Sequence, residues 1–238
     1  MHRFFLKQPI RETACITGSD MIHIQKVLRL STGDTITVCD GNGLECEAII
    51  DSFRKDGVYI RCSDPVSSVS EPTVRIALFQ GLPKAGKMET VIQKCVELGV
   101  SRIVPMLTER CVAQPKDSFS SKIERWQRIS EEAAKQSRRG VIPPICKMCT
   151  PDSFECSEFD IALIAYENER FSTLKDRIRG FSGTNVAVLI GPEGGFSDHE
   201  VRIFIQKGAK PVSLGPRILR TETAGMAMIS QILYEVDQ

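Results

Sequence analysis

Apolar positions recur along this chain with two different periods, and the change falls near residue 70. Before it, apolar and polar residues alternate. Residues 34–40 carry Ile36 and Val38 on one face, Asp40-Gly41-Asn42-Gly43 is a hairpin turn, and 44–53 return. Lys55-Asp56-Gly57 turns the chain again into an apolar run over 58–62. One helix interrupts, over 19–30, with Ser19 or Asp20 as its cap. Short strands so closely spaced predict a small β-barrel. The polar stretch 64–72, with Pro65 and Pro72 at its ends, reads as a linker.

From residue 73 strand and helix patterns alternate, which predicts an α/β unit with a parallel sheet. Strands are expected over 74–80, 102–107, 160–166, 185–190 and 211–214. Met88, Val91, Ile92, Cys95 and Val96 form one helical stripe, and Gly99 closes it. Ser121-Lys122-Ile123-Glu124 resembles a capping box opening a helix to 137, and Ser197-Asp198-His199-Glu200 another for a helix ending near 208. The last helix begins near Thr221, with Gly225, Met228, Ile229, Ile232, Leu233 and Val236 on one stripe. The chain thus divides into domains 1–70 and 73–238.

Composition narrows the class. Apolar content of 42% and charged content of 26% over 238 residues are those of an ordinary globular protein. The sequence shows no membrane-length apolar run and no signal-peptide layout, so a cytoplasmic protein is expected. Nine cysteines, an odd number with Cys39, Cys62 and Cys95 inside apolar runs, suit reduced core thiols. The net charge of +1 gives no global attraction for nucleic acid. Locally, Lys116, Lys122, Arg125, Arg128, Lys135, Arg138, Arg139 and Lys147 face four acids, Asp117, Glu124, Glu131 and Glu132, a surplus of 8 − 4 = +4. That segment reads either as a phosphate-binding face or as a solvated helix surface.

Candidate chemistry lies late in the chain. Two apolar runs each end in a Gly/Pro turn followed by a helix: Gly191-Pro192-Glu193-Gly194-Gly195 and Gly215-Pro216-Arg217-Ile218-Leu219-Arg220-Thr221-Glu222-Thr223-Ala224. Such turns at the carboxyl ends of strands form small-molecule pockets in α/β sheets. Gly81-Leu82-Pro83-Lys84-Ala85-Gly86-Lys87-Met88 nearly fits a phosphate-binding P-loop, but Met88 replaces the hydroxyl that ligates magnesium. Cys146-Lys147-Met148-Cys149 lacks a second ligand pair for zinc, and no metal is expected.

Taken together the two turns resemble the RsmE family, SPOUT-class RNA methyltransferases that act on uracil N3 of 16S ribosomal RNA. Three further stretches match in order: 23–30, 87–100, and Gln136-Ser137-Arg138-Arg139 leading to Pro143. The resemblance implies an N-terminal PUA-like RNA-binding barrel and a C-terminal SPOUT domain tied in a trefoil knot. It also implies S-adenosylmethionine as cofactor, the small ribosomal subunit as partner, and a homodimer through the C-terminal helix. The cofactor is expected against Ala165, Tyr166 and Glu167, against Ile190 to Gly195, and against Leu214, Gly215, Ile218, Leu219, Arg220, Thr223 and Ala224. RNA contacts are expected from Arg3, Lys26, Arg29, Gln136, Arg138 and Arg139. N3 is a weakly acidic imide and must lose its proton, so a guanidinium that favours the anion is needed. Arg220 or Arg139 takes that role, with Glu222 as proton acceptor or as the group orienting Arg220. The other readings are a methyl acceptor at a ribose hydroxyl or a guanine, an RNA-binding module without catalysis, and a nucleotide hydrolase resting on the P-loop near-match.

Overall fold

The computed structural model describes residues 2–84, 86–112 and 119–237. The chain splits into two compact units, Met1–Glu71 with Ala134–Ile142, and Pro72–Ala133 with Pro143–Gln238. Lys116, Asp117 and Ala85 lie outside the described residues.

The first unit is one sheet of β1 (Arg3–Phe5), β2 (Thr13–Ile16), β3 (Thr35–Cys39), β4 (Leu44–Phe53), β5 (Val58–Cys62) and β6 (Val66–Ser67). Its order is β1-β3-β4-β5-β2, with β6 against β4. Along β4, Cys46, Ala48 and Ile50 turn inward to meet Ile36, Val38, Val58 and Ile60, as the two-residue period requires. The expected barrel is only half made: among the described residues no ladder joins β1 to β2. The two end strands have three and four residues and offer few backbone groups for closure.

Three other expectations change here. The helix placed over 19–30 is α1 (Gly18–Ile22) running into a π-helical stretch, His23–Leu28. It starts before Ser19, after Thr17, and stops where Arg29 turns left-handed at φ 54°. The stretch 64–72 is no free linker, because β6 pairs with Leu44 and Glu45. Glu71 is likewise committed: its carboxylate accepts the Gly140 and Val141 amides at 2.9 and 3.1 Å and pairs with Arg139 at 2.6 Å. Residues 134–142, the last residues of the helix over 119–136 and the stretch after it, therefore group with the first unit.

The second unit is a parallel sheet of β7 (Arg75–Gly81), β8 (Arg102–Met106), β9 (Ile161–Ala165), β10 (Asn185–Ile190) and β11 (Lys210–Val212), ordered β11-β9-β10-β7-β8. Both faces are covered, so β10 is buried from Val186 to Ile190 rather than alternating. On one face Phe79, Ala187 and Leu189 pack with Phe154, Phe196 and Phe204. The last of these comes from α5 (Asp198–Gln206), which opens on the expected reciprocal capping of Ser197 and Glu200. On the other face lie α2 (Lys87–Glu97), which buries the stripe read from the sequence, and α6 (Thr221–Val236), whose Gly225 sits over Leu78.

α3 (Phe119–Gln136) already includes Ser121, so that residue lies inside the helix rather than at its N-cap. The basic surplus is also smaller than it reads in sequence. Arg125 pairs with Glu89, Lys135 with Asp20 and Arg139 with Glu71, all acids outside the segment. Cys146 and Cys149 pack on the aromatic core, and all nine cysteines are unpaired thiols. Burial pushes the Cys149 thiol up to about 12.

Candidate active site

Three neighbouring strands, β11, β9 and β10, release their carboxyl ends on one side of the sheet, and a cleft of about 890 Å³ opens there. Its walls are the segment after β9, the turn after β10, and the segment from Ser213 into the short α6 start. The glycines make these walls close-fitting. A Cβ on Gly191 would lie 2.8 Å from the Gly195 carbonyl carbon and the Phe196 nitrogen. One on Gly81 would lie 2.6 Å from the Pro192 ring. Gly195 and Gly215 hold φ of +67° and +109°, a region side chains resist.

Hydrogen bonds tie the walls together beneath the cleft. The Thr221 hydroxyl donates to the Gly191 carbonyl at 2.6 Å and accepts from the Gln80 amide at 2.8 Å, joining α6, β10 and β7. Lys87, at the start of α2, stands between Glu193 at 3.1 Å and Glu222 at 3.4 Å. Burial alone would raise the Glu193 carboxyl, but its own and the Lys84 backbone N–H and the Lys87 ammonium hold it below the ordinary range. The same Glu193 contact pulls Lys87 above its ordinary value. This loop thus uses its lysine in a carboxylate clasp, not in the phosphate cradle of a P-loop.

Most of the expected cofactor residues meet in this one cleft: Ala165, Tyr166, Glu167, Ile190 to Glu193, Gly195, Leu214, Gly215, Ile218, Leu219, Arg220 and Ala224 all line it. Gly194 does not; its carbonyl accepts from Arg110 at 2.9 Å. Thr223 is exposed on the first turn of α6 and is not a lining residue either. Among the described residues no hydrogen bond or ion pair engages the Arg220 guanidinium, which is exposed at the cleft. Glu222 pairs with Lys87, not with Arg220. Arg139 belongs to the first unit, 3% exposed and locked to Glu71 by Nη2 and Nε. In that unit Arg3 is held by Glu45 at 2.7 Å, whereas Lys26, Arg29, Gln136 and Arg138 are exposed. Sequence reasoning missed Lys87, Asn168, Glu169, Arg170, Ser213, Pro216, Arg217 and Thr221 as lining residues. Arg170 and Arg217 adjoin recognised stretches, but Lys87 is brought in from α2 by tertiary contact alone.

A parallel sheet with a cleft at three adjacent strand ends, walled by glycine turns after β10 and β11, is the framework of a nucleotide-cofactor enzyme. Residues 70–233 match the RNA methyltransferase domain, and residues 16–61 the RNA methyltransferase PUA domain. The ribosomal RNA small subunit methyltransferase E of Bacillus subtilis is 34% identical, covering 100% of this chain and 98% of its own. That of Synechocystis is 34% identical over 95% of this chain and 74% of its own. The crystal structure of a ribosomal RNA small subunit methyltransferase E from Neisseria gonorrhoeae bound to S-adenosyl methionine superposes with a TM-score of 0.86 at 32% identity, covering 98% and 97% of the two chains. The chain belongs to the ribosomal RNA small subunit methyltransferase E family.

Proposed function

We propose that this protein transfers a methyl group from S-adenosylmethionine to N3 of a uridine in 16S ribosomal RNA. The observation that carries the reading is the glycine-walled cleft at the ends of β9, β10 and β11, in a chain of this family. The lining suits the cofactor. Ile190, Leu214, Leu219 and Ala224 offer apolar walls for a flat base, Gly191 and Gly195 let backbone groups approach, and Glu167 brings a carboxylate suited to a cation. Bound there, S-adenosylmethionine supplies an activated sulfonium methyl.

The chain's residues do the rest. Apolar walls exclude water from the reacting edge. The Arg220 guanidinium, exposed at the cleft, favours loss of the N3 proton to solvent by stabilising the imide anion; the anion takes the methyl group, and S-adenosylhomocysteine is the product that leaves. Glu222, tied to Lys87, acts in holding the start of α6. N3 lies on the Watson–Crick edge, so the uridine is unpaired when it enters. The first unit grips RNA through Lys26, Arg29 and Arg138. Arg29 and Arg138 are its two non-glycine residues at positive φ, 54° and 61°, the kind of strain that gathers at functional sites.

The finer architecture follows the family. The path from edge strand β11 back to α6, packed on β7, β10 and α2, supports a trefoil knot of the SPOUT class. Apolar surface left on α6, with Tyr234 85% exposed, supports a homodimer. Work on ribosomal RNA, as in the family, supports a place in the cytoplasm. Among the described residues no helix is long and apolar enough to cross a membrane. The test is to map methylation on 16S ribosomal RNA from cells lacking the protein, then restore it with purified protein and cofactor. Loss and recovery of one N3-methyluridine is expected; an unchanged map refutes the reading. Arg220→Ala is expected to keep cofactor binding and lose transfer rate.

A further inference from the structure

The cleft also carries arginines outside the expected cofactor set. Arg170 and Arg217 line it beside Arg220, and all three are exposed. No hydrogen bond or ion pair among the described residues engages their guanidinium groups. Two apolar side chains on the same two segments are turned to solvent: Phe171, next to Arg170 in sequence, at 97% exposure, and Ile218, next to Arg217, at 87%. A phenyl ring left that bare buries almost no apolar surface and so adds little to the stability of the fold.

The backbone that presents Phe171 is nevertheless held tightly. The Glu169 carboxylate accepts the Phe171 N–H at 2.7 Å and the Ser172 N–H at 3.0 Å. These amides hold that carboxylate below its ordinary range. Ser213, itself a cleft residue, donates its N–H to the Ser172 carbonyl at 2.8 Å, and Leu174 donates to the Ser213 carbonyl at 3.2 Å. Thr173 and Asp176 then cap α4 (Leu174–Ile178) reciprocally. The segment after β9 is therefore stapled to the end of β11, the strand whose following turn carries Arg217 and Ile218. A solvent-facing ring on a hydrogen-bonded backbone, with exposed arginines on its own segment and on the segment stapled to it, offers what a single-strand nucleic-acid platform needs: every base has a face to stack, and every nucleotide a phosphate to pair.

We propose that Phe171 stacks on an unpaired base of the RNA strand entering the cleft, with Ile218 as a second apolar face and Arg170 and Arg217 on the flanking phosphates. The inference rests on the RNA-methylating reading and adds where the substrate strand lies on the second unit. The stacked base sits outside the cleft, leaving the interior for the cofactor and the reacting uracil. The division of labour is then explicit: phosphate contacts give affinity and stacking fixes the strand's register.

The test uses the full chain, saturated with S-adenosylhomocysteine, and a labelled single-stranded oligoribonucleotide of roughly a dozen nucleotides, about the length such platforms cover. Phe171→Ala is expected to weaken binding about tenfold, and Phe171→Trp to restore it. Arg170→Gln and Arg217→Gln are each expected to lower the slope of log affinity against log salt by about 0.7. Cofactor affinity by calorimetry should stay as in the wild type for Phe171→Ala, because the ring is not part of the cleft wall; its exposure also makes misfolding of that variant no explanation. Wild-type RNA affinity in Phe171→Ala overturns the proposal. So does a changed oligomeric mass in sedimentation, which would make this face a contact with a second copy. If the wild type methylates small-subunit RNA and only the Phe171 arm fails, the rim assignment falls alone; if the wild type does not methylate, the functional reading itself falls.

Discussion

Gly191→Ala is the sharpest probe of the cleft. The methyl group added there would sit 2.8 Å from the Gly195 carbonyl carbon and the Phe196 nitrogen, and 2.9 Å from the Gly195 Cα. Ordinary contact begins near 3.4 Å, so the turn has to open by 3.4 − 2.8, about 0.6 Å. The atoms in the way are backbone, not the flexible end of a side chain, and the Gly191 carbonyl is already committed to Thr221 at 2.6 Å. Overpacking of this kind costs about 1–3 kcal/mol. At about 2–4 °C per kcal/mol for a chain this long, the second unit should melt several degrees lower. The same shift moves the cofactor wall, and displacements near 1 Å cost about a hundredfold in rate, so transfer should fall by more than tenfold. Gly225→Ala is the control. Its added methyl would meet Leu78 at 3.6 Å, ordinary contact, and alanine favours the helix by up to about 1 kcal/mol. Calorimetry with S-adenosylhomocysteine, methyl incorporation and thermal melting are read on both variants. If Gly191→Ala binds and melts as the wild type does, the close-fitting turn is not what shapes this site.

Three further outcomes are expected. Arg139→Met strands Glu71 beside a backbone turn and should destabilise the first unit by about 3–5 kcal/mol, seen as an earlier transition in urea; an unshifted curve refutes a structural ion pair there. Lys87→Met leaves Glu193 and Glu222 without their shared cation and should weaken cofactor binding, while Lys87→Arg keeps it; equal affinities in all three proteins would show the clasp to be idle. Glu45, Glu89 and Glu193 are all held below the ordinary 4.5. In each, burial pushes the carboxyl up, and hydrogen bonds with partners such as Arg3, Arg125 and Lys87 outweigh it. The unfolded chain therefore takes up these protons first as pH falls. Their contribution is complete above about 4.5 and is lost as pH drops through the lower folded values, so stability measured in urea should decline below that point, and a rise from pH 5 to 3 would contradict the assignment.

The sequence by itself specified the elements and most of the cleft. The stripe of α2, the reciprocal cap of α5 and the apolar core strands β7, β9 and β10 follow from local periodicity, because each residue's neighbours in an element are also its neighbours in sequence. The glycine turns were legible for a related reason: close backbone approach needs a residue with no Cβ, and that requirement is written in one position. What tertiary structure decided was pairing. Lys87 reached Glu193 and Glu222, and Arg139 reached Glu71 across 68 residues of chain. The end of α3 and the segment after it grouped with the first unit, and the apparent basic surplus was partly neutralised by acids far away in sequence. Charge partners are chosen by distance in space, so Glu71 could not be read as the partner of Arg139 from the neighbourhood of either residue.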